Sequence, residues 1–191
     1  MSSLSSLSRL PWLRVPQPIR RKCFISYYHG DRVWAEDFVT KFGGPNGVII
    51  PRILGLEGDT IQSSKPDYVI DAIRAGYISG SSVSIVLLGP CTHSRRFVDQ
   101  EIKRGLLNGN GLLGIILPPH IQQYLPERFA ANWRQDDTGY AALRFYPGSG
   151  SELQSWVNDV VSRASKRRNQ VCNAQDFWRY NRSCAACGFS H

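Results

Sequence analysis

The stretch Ser82-Val83-Ser84-Ile85-Val86-Leu87-Leu88-Gly89-Pro90, with Arg96–Leu107 and Leu112-Leu113-Gly114-Ile115-Ile116-Leu117 behind it, decides the fold. The first run is apolar almost throughout and has strand length, the pattern of a strand covered by helices on both faces. Gly89-Pro90 stops it. Val98 and Ile102 then recur four apart, so residues 96–107 read as a helix with that face on the sheet. Leu112–Leu117 returns as a second buried strand, ended by Pro118-Pro119. Strand, covering helix and parallel strand make one right-handed crossover unit.

The same alternation extends in both directions. Upstream, Lys22–Ser26 reads as a strand, Tyr27-Tyr28-His29-Gly30 as a loop and Asp31 as a helix cap. Trp34, Ala35, Phe38, Val39 and Phe42 then mark an apolar helix face, and Gly43-Gly44-Pro45-Asn46-Gly47 turns into the strand Val48-Ile49-Ile50. A long loop through Gly55, Glu57, Gly58 and Asp59 leads to a helix over Tyr68–Ile78. Downstream, a short irregular helix is expected around Tyr124–Ala131, a fifth strand over Ala141–Tyr146 and a helix over Glu152–Lys166. In the last, Leu153, Trp156, Val157, Val160, Val161 and Ala164 share one face. The expectation is an α/β domain over residues 22–168, a doubly wound five-stranded parallel sheet.

The chain has 191 residues and a net charge of +8, divided unevenly. Residues 1–22 carry +5, residues 163–191 carry +5, and the middle carries −2. The basicity therefore belongs to the ends: an N-terminal extension, residues 1–21, and a Cys-containing tail, residues 169–191. Such ends can attract polyanions, but the middle needs a different explanation. No apolar run reaches the roughly 18 residues of a membrane span, and residues 1–21 lack the h-region of a secretory signal. A soluble, cytoplasmic protein is expected, with no membrane partner and nucleic acid an unfavoured one.

Five cysteines at these spacings do not make a secreted disulfide framework. Cys23 and Cys91 read as small buried thiols. Cys172, Cys184, Cys187 and His191 have usable ligand chemistry, yet the gap before Cys184-Ala-Ala-Cys187 matches no strong finger pattern, so no metal is expected. Cys91 and His93 lack the third partner of a thiol nucleophile.

Ligands of doubly wound sheets sit at the carboxyl ends of the strands, near the point where strand order reverses. Here those ends are Ser26-Tyr27-Tyr28-His29, the Pro51–Ser64 loop, and Gly89–Arg96. Neither GxGxxG nor GxxxxGK[ST] occupies the first loop, which disfavours an ordinary dehydrogenase or P-loop enzyme. Glu101 falls in the early turns of the 96–107 helix with Phe97 and Arg104 along its side; it either joins solvent beside Arg104 or looks into the strand-end cleft. A lone carboxylate suits few glycosidases, which generally use two. It suits a nicotinamide–ribose bond, because the cationic pyridinium leaves as a neutral amine and the protein need only support the developing oxocarbenium and grip the ribose. His29 reads equally as a pyrophosphate or ribose contact and as a surface or capping histidine.

Four segments carry a resemblance, one of them the Ser82–Pro90 strand already quoted. Phe24-Ile25-Ser26-Tyr27 with its polar loop resembles the first box of Toll/interleukin-1 receptor (TIR) domains, and Arg96-Phe97-Val98-Asp99-Gln100-Glu101-Ile102 resembles the Trp-Val-x-x-Glu-Ile segment of their NAD-cleaving members. Asn108-Gly109-Asn110-Gly111-Leu112-Leu113-Gly114-Ile115 is similar to the compact bacterial group that includes the TIR proteins of Thoeris anti-phage systems. The resemblance implies a flavodoxin-like TIR fold and NAD+ glycohydrolase or ADP-ribosyl cyclase activity. NAD+ is then a substrate and no resident cofactor is implied. It makes Glu101 the catalytic residue. Ser26, Tyr27, Tyr28 and His29 would line the nucleotide site, with Glu57 and Asp59 of Leu56-Glu57-Gly58-Asp59 contributing from the second loop. Phe97 stands where the family has Trp, keeping an aromatic face but losing the indole donor. Self-association through TIR domains and a separate effector protein activated by the nucleotide product are further implications. A non-catalytic assembly module on the same fold is the alternative, and a nucleic-acid binder a weaker one.

Overall fold

The computed structural model describes residues 19–54, 75–119, 124–166, 169–171 and 181–188. Its strands are β1 (Arg21–Ser26), β2 (Ile49–Ile53), β3 (Val83–Leu88), β4 (Gly111–Ile116) and β5 (Ala141–Phe145). Its helices are α1 (Arg32–Gly43), α2 (Arg96–Leu107), α3 (Glu127–Asn132) and α4 (Gly150–Lys166). Residues 75–79 are helical as well; the rest of the helix expected over Tyr68–Ile78 lies outside the described residues.

All pairings are parallel and the order is β2-β1-β3-β4-β5, the flavodoxin-like arrangement. The chain leaves β1 to one side for β2, then passes back to β3 on the other side, so the order reverses between β1 and β3. Every residue of β3 and β4 is buried, which is why these strands read as continuous apolar runs. One face of the sheet packs Ala35, Phe38 and Phe42 of α1 and Leu153, Val157 and Val160 of α4 against Ile25, Ile85 and Leu113. The other packs Val98, Ile102 and Leu106 of α2 and Phe129 of α3 against Val86, Leu88 and Leu112. Burying each such side chain contributes about 1.5–3 kcal/mol, which fixes α2 firmly over β3 and β4.

Local chemistry sets the ends. Ser149 Oγ accepts the Glu152 N–H at 3.2 Å while the Glu152 carboxylate accepts the Gly148 N–H at 2.9 Å, a capping box that starts α4. The second strand begins one residue later than expected and runs on through Pro51 to Ile53. As β2 is an edge strand, a residue without an N–H is tolerated in it. Asp31 does hold the cap position of α1, but its side chain makes no capping bond; the carboxylate lies against Gly89 and Thr92 at the end of β3 instead.

Candidate active site at the strand switch point

Ser26 is the last residue of β1, and Glu101 is on the second turn of α2. With α2 fastened to the sheet through Val98 and Ile102, Glu101 points back over the switch point, and the Ser26 hydroxyl donates to its Oε2 at 2.6 Å. Glu101 is only 7% exposed and Ser26 1%. Glu101 is therefore buried against the carboxyl end of β1 and is not a solvated residue. Burying a carboxylate is costly unless its lone pairs are satisfied, and the Ser26 hydroxyl satisfies one while fixing the rotamer.

Tyr27 follows directly, half-buried, and donates from its hydroxyl to the Leu54 carbonyl beyond β2 at 3.2 Å. Burial pushes the Tyr27 phenol up; Arg32 pulls it down, while Glu36 and Glu101 add to the rise, so it stays neutral through the physiological range. Tyr28 packs edge-on against His29 with ring centroids 4.4 Å apart, and the Arg95 guanidinium lies 4.3 Å from the Tyr28 centroid. His29 is exposed. Phe97 is half-buried, with the Arg96 guanidinium 4.4 Å from its centroid. Glu57 and Asp59 lie outside the described residues.

Two contributors escaped the sequence reading. Asp31 approaches the Gly89 backbone so closely that a Cβ on Gly89 would collide with its carboxylate, and Thr92 Oγ1 accepts the Gly89 N–H at 2.9 Å. The only local signal was a helix cap, which pointed to a different role. Asn181 is the other: its Oδ1 accepts the Arg96 N–H at 3.0 Å, capping α2 from the far end of the chain, while the Arg182 N–H reaches Ser94 O at 2.9 Å. Cys91, at the start of the turn before α2, is not a poised nucleophile. Burial pushes its thiol up to about 12, and the neighbouring Cys187 and Cys184 thiols reinforce this against the opposing pull of Arg95. His93 Nδ1 faces the Pro90 carbonyl at 3.1 Å.

Some of the arginines near the chain ends are held in structural contacts. Arg20 donates to the carbonyls of Gly44 and Ile49 at 2.9 and 2.7 Å, and Arg163 pairs with Asp159 at 2.7 Å and Asp137 at 3.1 Å. No helix among the described residues is long and apolar enough to cross a membrane.

The sheet order, with crossover helices on both faces, defines a flavodoxin-like TIR fold. Residues 24–121, just over half of the chain and the part that runs from within β1 through β4, match the family described as Thoeris protein ThsB, TIR-like domain, and the chain belongs to that family. No curated protein matches it.

Proposed function

We propose that this protein cleaves the nicotinamide–ribose bond of NAD+, releasing nicotinamide together with ADP-ribose or a cyclic ADP-ribose derivative. The observation that carries the reading is the buried Ser26–Glu101 pair at the switch point of the sheet. Membership in a family associated with NADase activity in Thoeris systems supports it.

The chemistry asks little of a protein. Nicotinamide departs as a neutral amine, so no general acid is required, and positive charge grows on the ribose as the bond lengthens. Glu101, held by Ser26, supplies a fixed negative charge beside that centre and an acceptor for ribose hydroxyls. In a site shielded from water such a charge is worth about 3–4 kcal/mol, roughly a hundredfold or more in rate. Tyr27, Tyr28 and His29 are proposed to line the nucleotide, with Glu57 and Asp59 contributing from the second loop. Phe97 is proposed to cover the nicotinamide. Because Arg96 already lies over that ring, a pyridinium stacks on its opposite face. The proposed setting is cytoplasmic anti-phage defence, with self-association of the domain and with the nucleotide product activating a separate effector protein.

The test is to incubate purified protein at high concentration with NAD+ and separate the products by chromatography with mass detection. Nicotinamide should appear with an ADP-ribose species whose mass and retention distinguish linear from cyclic product. A folded, self-associating protein that leaves NAD+ intact would favour the assembly-module alternative.

A further inference from the structure

Cys91, at the end of the loop after β3, meets Cys184 and Cys187 from the C-terminal segment, and their three sulfurs lie within 4.8 Å of one another. We propose that these three cysteines form a thiolate site for a zinc ion, which ties the C-terminal segment to the turn that starts α2. The family match ends at residue 121, so two of the three ligands lie outside it.

Zinc binds thiolates at about 2.3 Å in a tetrahedron, whose sulfur–sulfur edge is then about 3.8 Å. Sulfurs already gathered within 4.8 Å need only a small contraction to reach it. Cys184-Ala185-Ala186-Cys187 has the two-residue spacer that lets consecutive cysteines chelate one metal. Bonds that involve no sulfur independently hold the segment just before Cys184 against the turn that carries Cys91 and against α3: Arg182 N–H to Ser94 O, Arg96 N–H to Asn181 Oδ1, and Arg182 to Glu127 at 3.1 Å.

Charge also balances. Zinc replaces the protons of three thiols, and a dication with three thiolates carries a net −1. Arg95, itself buried, donates to Cys187 Sγ at 2.7 Å and to the Cys91 carbonyl at 3.2 Å, placing one positive charge at the cluster. A donor of this kind beside a metal thiolate orients the ligand and tempers its charge. Soft sulfur donors select zinc over magnesium or calcium. Cys187 is exposed, so water can reach the fourth position.

The site is tested on the full chain, purified with reductant and without chelator. Zinc content is measured by mass spectrometry of the metal, and the chelator-stripped protein is titrated with Co2+ while thiolate-to-cobalt absorption is recorded. Stoichiometric zinc and a charge-transfer band are expected. Cys187→Ser, at the surface and harmless to the core, should lose the band's full intensity and weaken zinc binding tenfold or more, and Cys184→Ser should do the same. Reduced, folded wild type that stays well below stoichiometric zinc after equilibration with Zn2+ would overturn the proposal. So would unchanged zinc and cobalt binding in both variants, or a disulfide between any two of these cysteines in freshly isolated, zinc-free protein.

Discussion

Glu101 and Ser26 are 75 residues apart in sequence, and their side-chain oxygens are 2.6 Å apart in space. On the proposed reading the hydroxyl is a positioning group, because it orients the carboxylate without meeting the reacting bond. Ser26→Ala leaves a buried acceptor short of a donor, at a cost of about 1–3 kcal/mol. Nicotinamide release by Ser26→Ala should therefore slow by about tenfold or more, with the loss in kcat and KM nearly held. A loss confined to KM would instead make Ser26 a simple nucleotide contact. Phe97→Ala should give the opposite split, raising KM for NAD+ while preserving measurable turnover, since Tyr27 and Tyr28, directly after β1, would still cover the nucleotide. Unchanged KM in that variant would remove Phe97 from the site. Neither residue's role could be judged from spacing alone: periodicity set Phe97 and Glu101 along one side of α2, but showed neither the bond from Ser26 of β1 nor the Arg96 guanidinium over the Phe97 ring.

At the scale of elements, β5 and α4 are joined by charge as well as by packing. Asp137, at φ 60 in the loop before β5, bonds Arg144 of β5 and Arg163 of α4. Burial works to raise the Asp137 carboxyl, but hydrogen bonds and attraction from the two arginines outweigh it and hold it below the ordinary range. A carboxylate whose folded pKa is depressed adds stability above its unfolded value, about pH 4, and loses it as pH falls through the folded one. The side chain is 43% exposed, so the effect is modest and screened by salt. Thermal melts from neutral pH down through about pH 3 should fall more steeply for wild type than for Asp137→Asn, which keeps a residue tolerant of the left-handed backbone. Parallel curves at low salt would contradict that linkage. Elements like these were legible where a periodic apolar face met clear stop signals: α2 runs over Arg96–Leu107 as read, and all five strands appear. The second strand was read as Val48–Ile50 with Pro51 already in the following loop, and an edge position that permits proline within a strand is a property of the assembled sheet. Cys91 was read as a small buried thiol, and it is buried; its meeting with Cys184 and Cys187 is a long-range contact that carries no periodic signal.

At the scale of the whole molecule, several of the arginines near the two ends of the chain are engaged by the fold. Arg20 serves the turn after α1, Arg163 its carboxylates and Arg182 Glu127, so these side chains are held in structural contacts. RNA or DNA should bind weakly, without sequence preference and with a steep loss on adding salt, and should leave NAD+ turnover unaltered. Tight, sequence-selective binding at physiological ionic strength would instead favour the nucleic-acid reading. The central claim is that this domain breaks the nicotinamide–ribose bond through one carboxylate. Glu101→Gln keeps the shape and a hydrogen-bonding group for Ser26 while removing the charge, and Val98 and Ile102 still anchor α2. The deciding measurement is nicotinamide release from NAD+ by wild type and Glu101→Gln at equal concentration, beside a thermal melt of each. Release by wild type, a fall of roughly a hundredfold or more in the variant, and a cooperative melt in both are predicted. Equal release by wild type and a folded Glu101→Gln would contradict the claim.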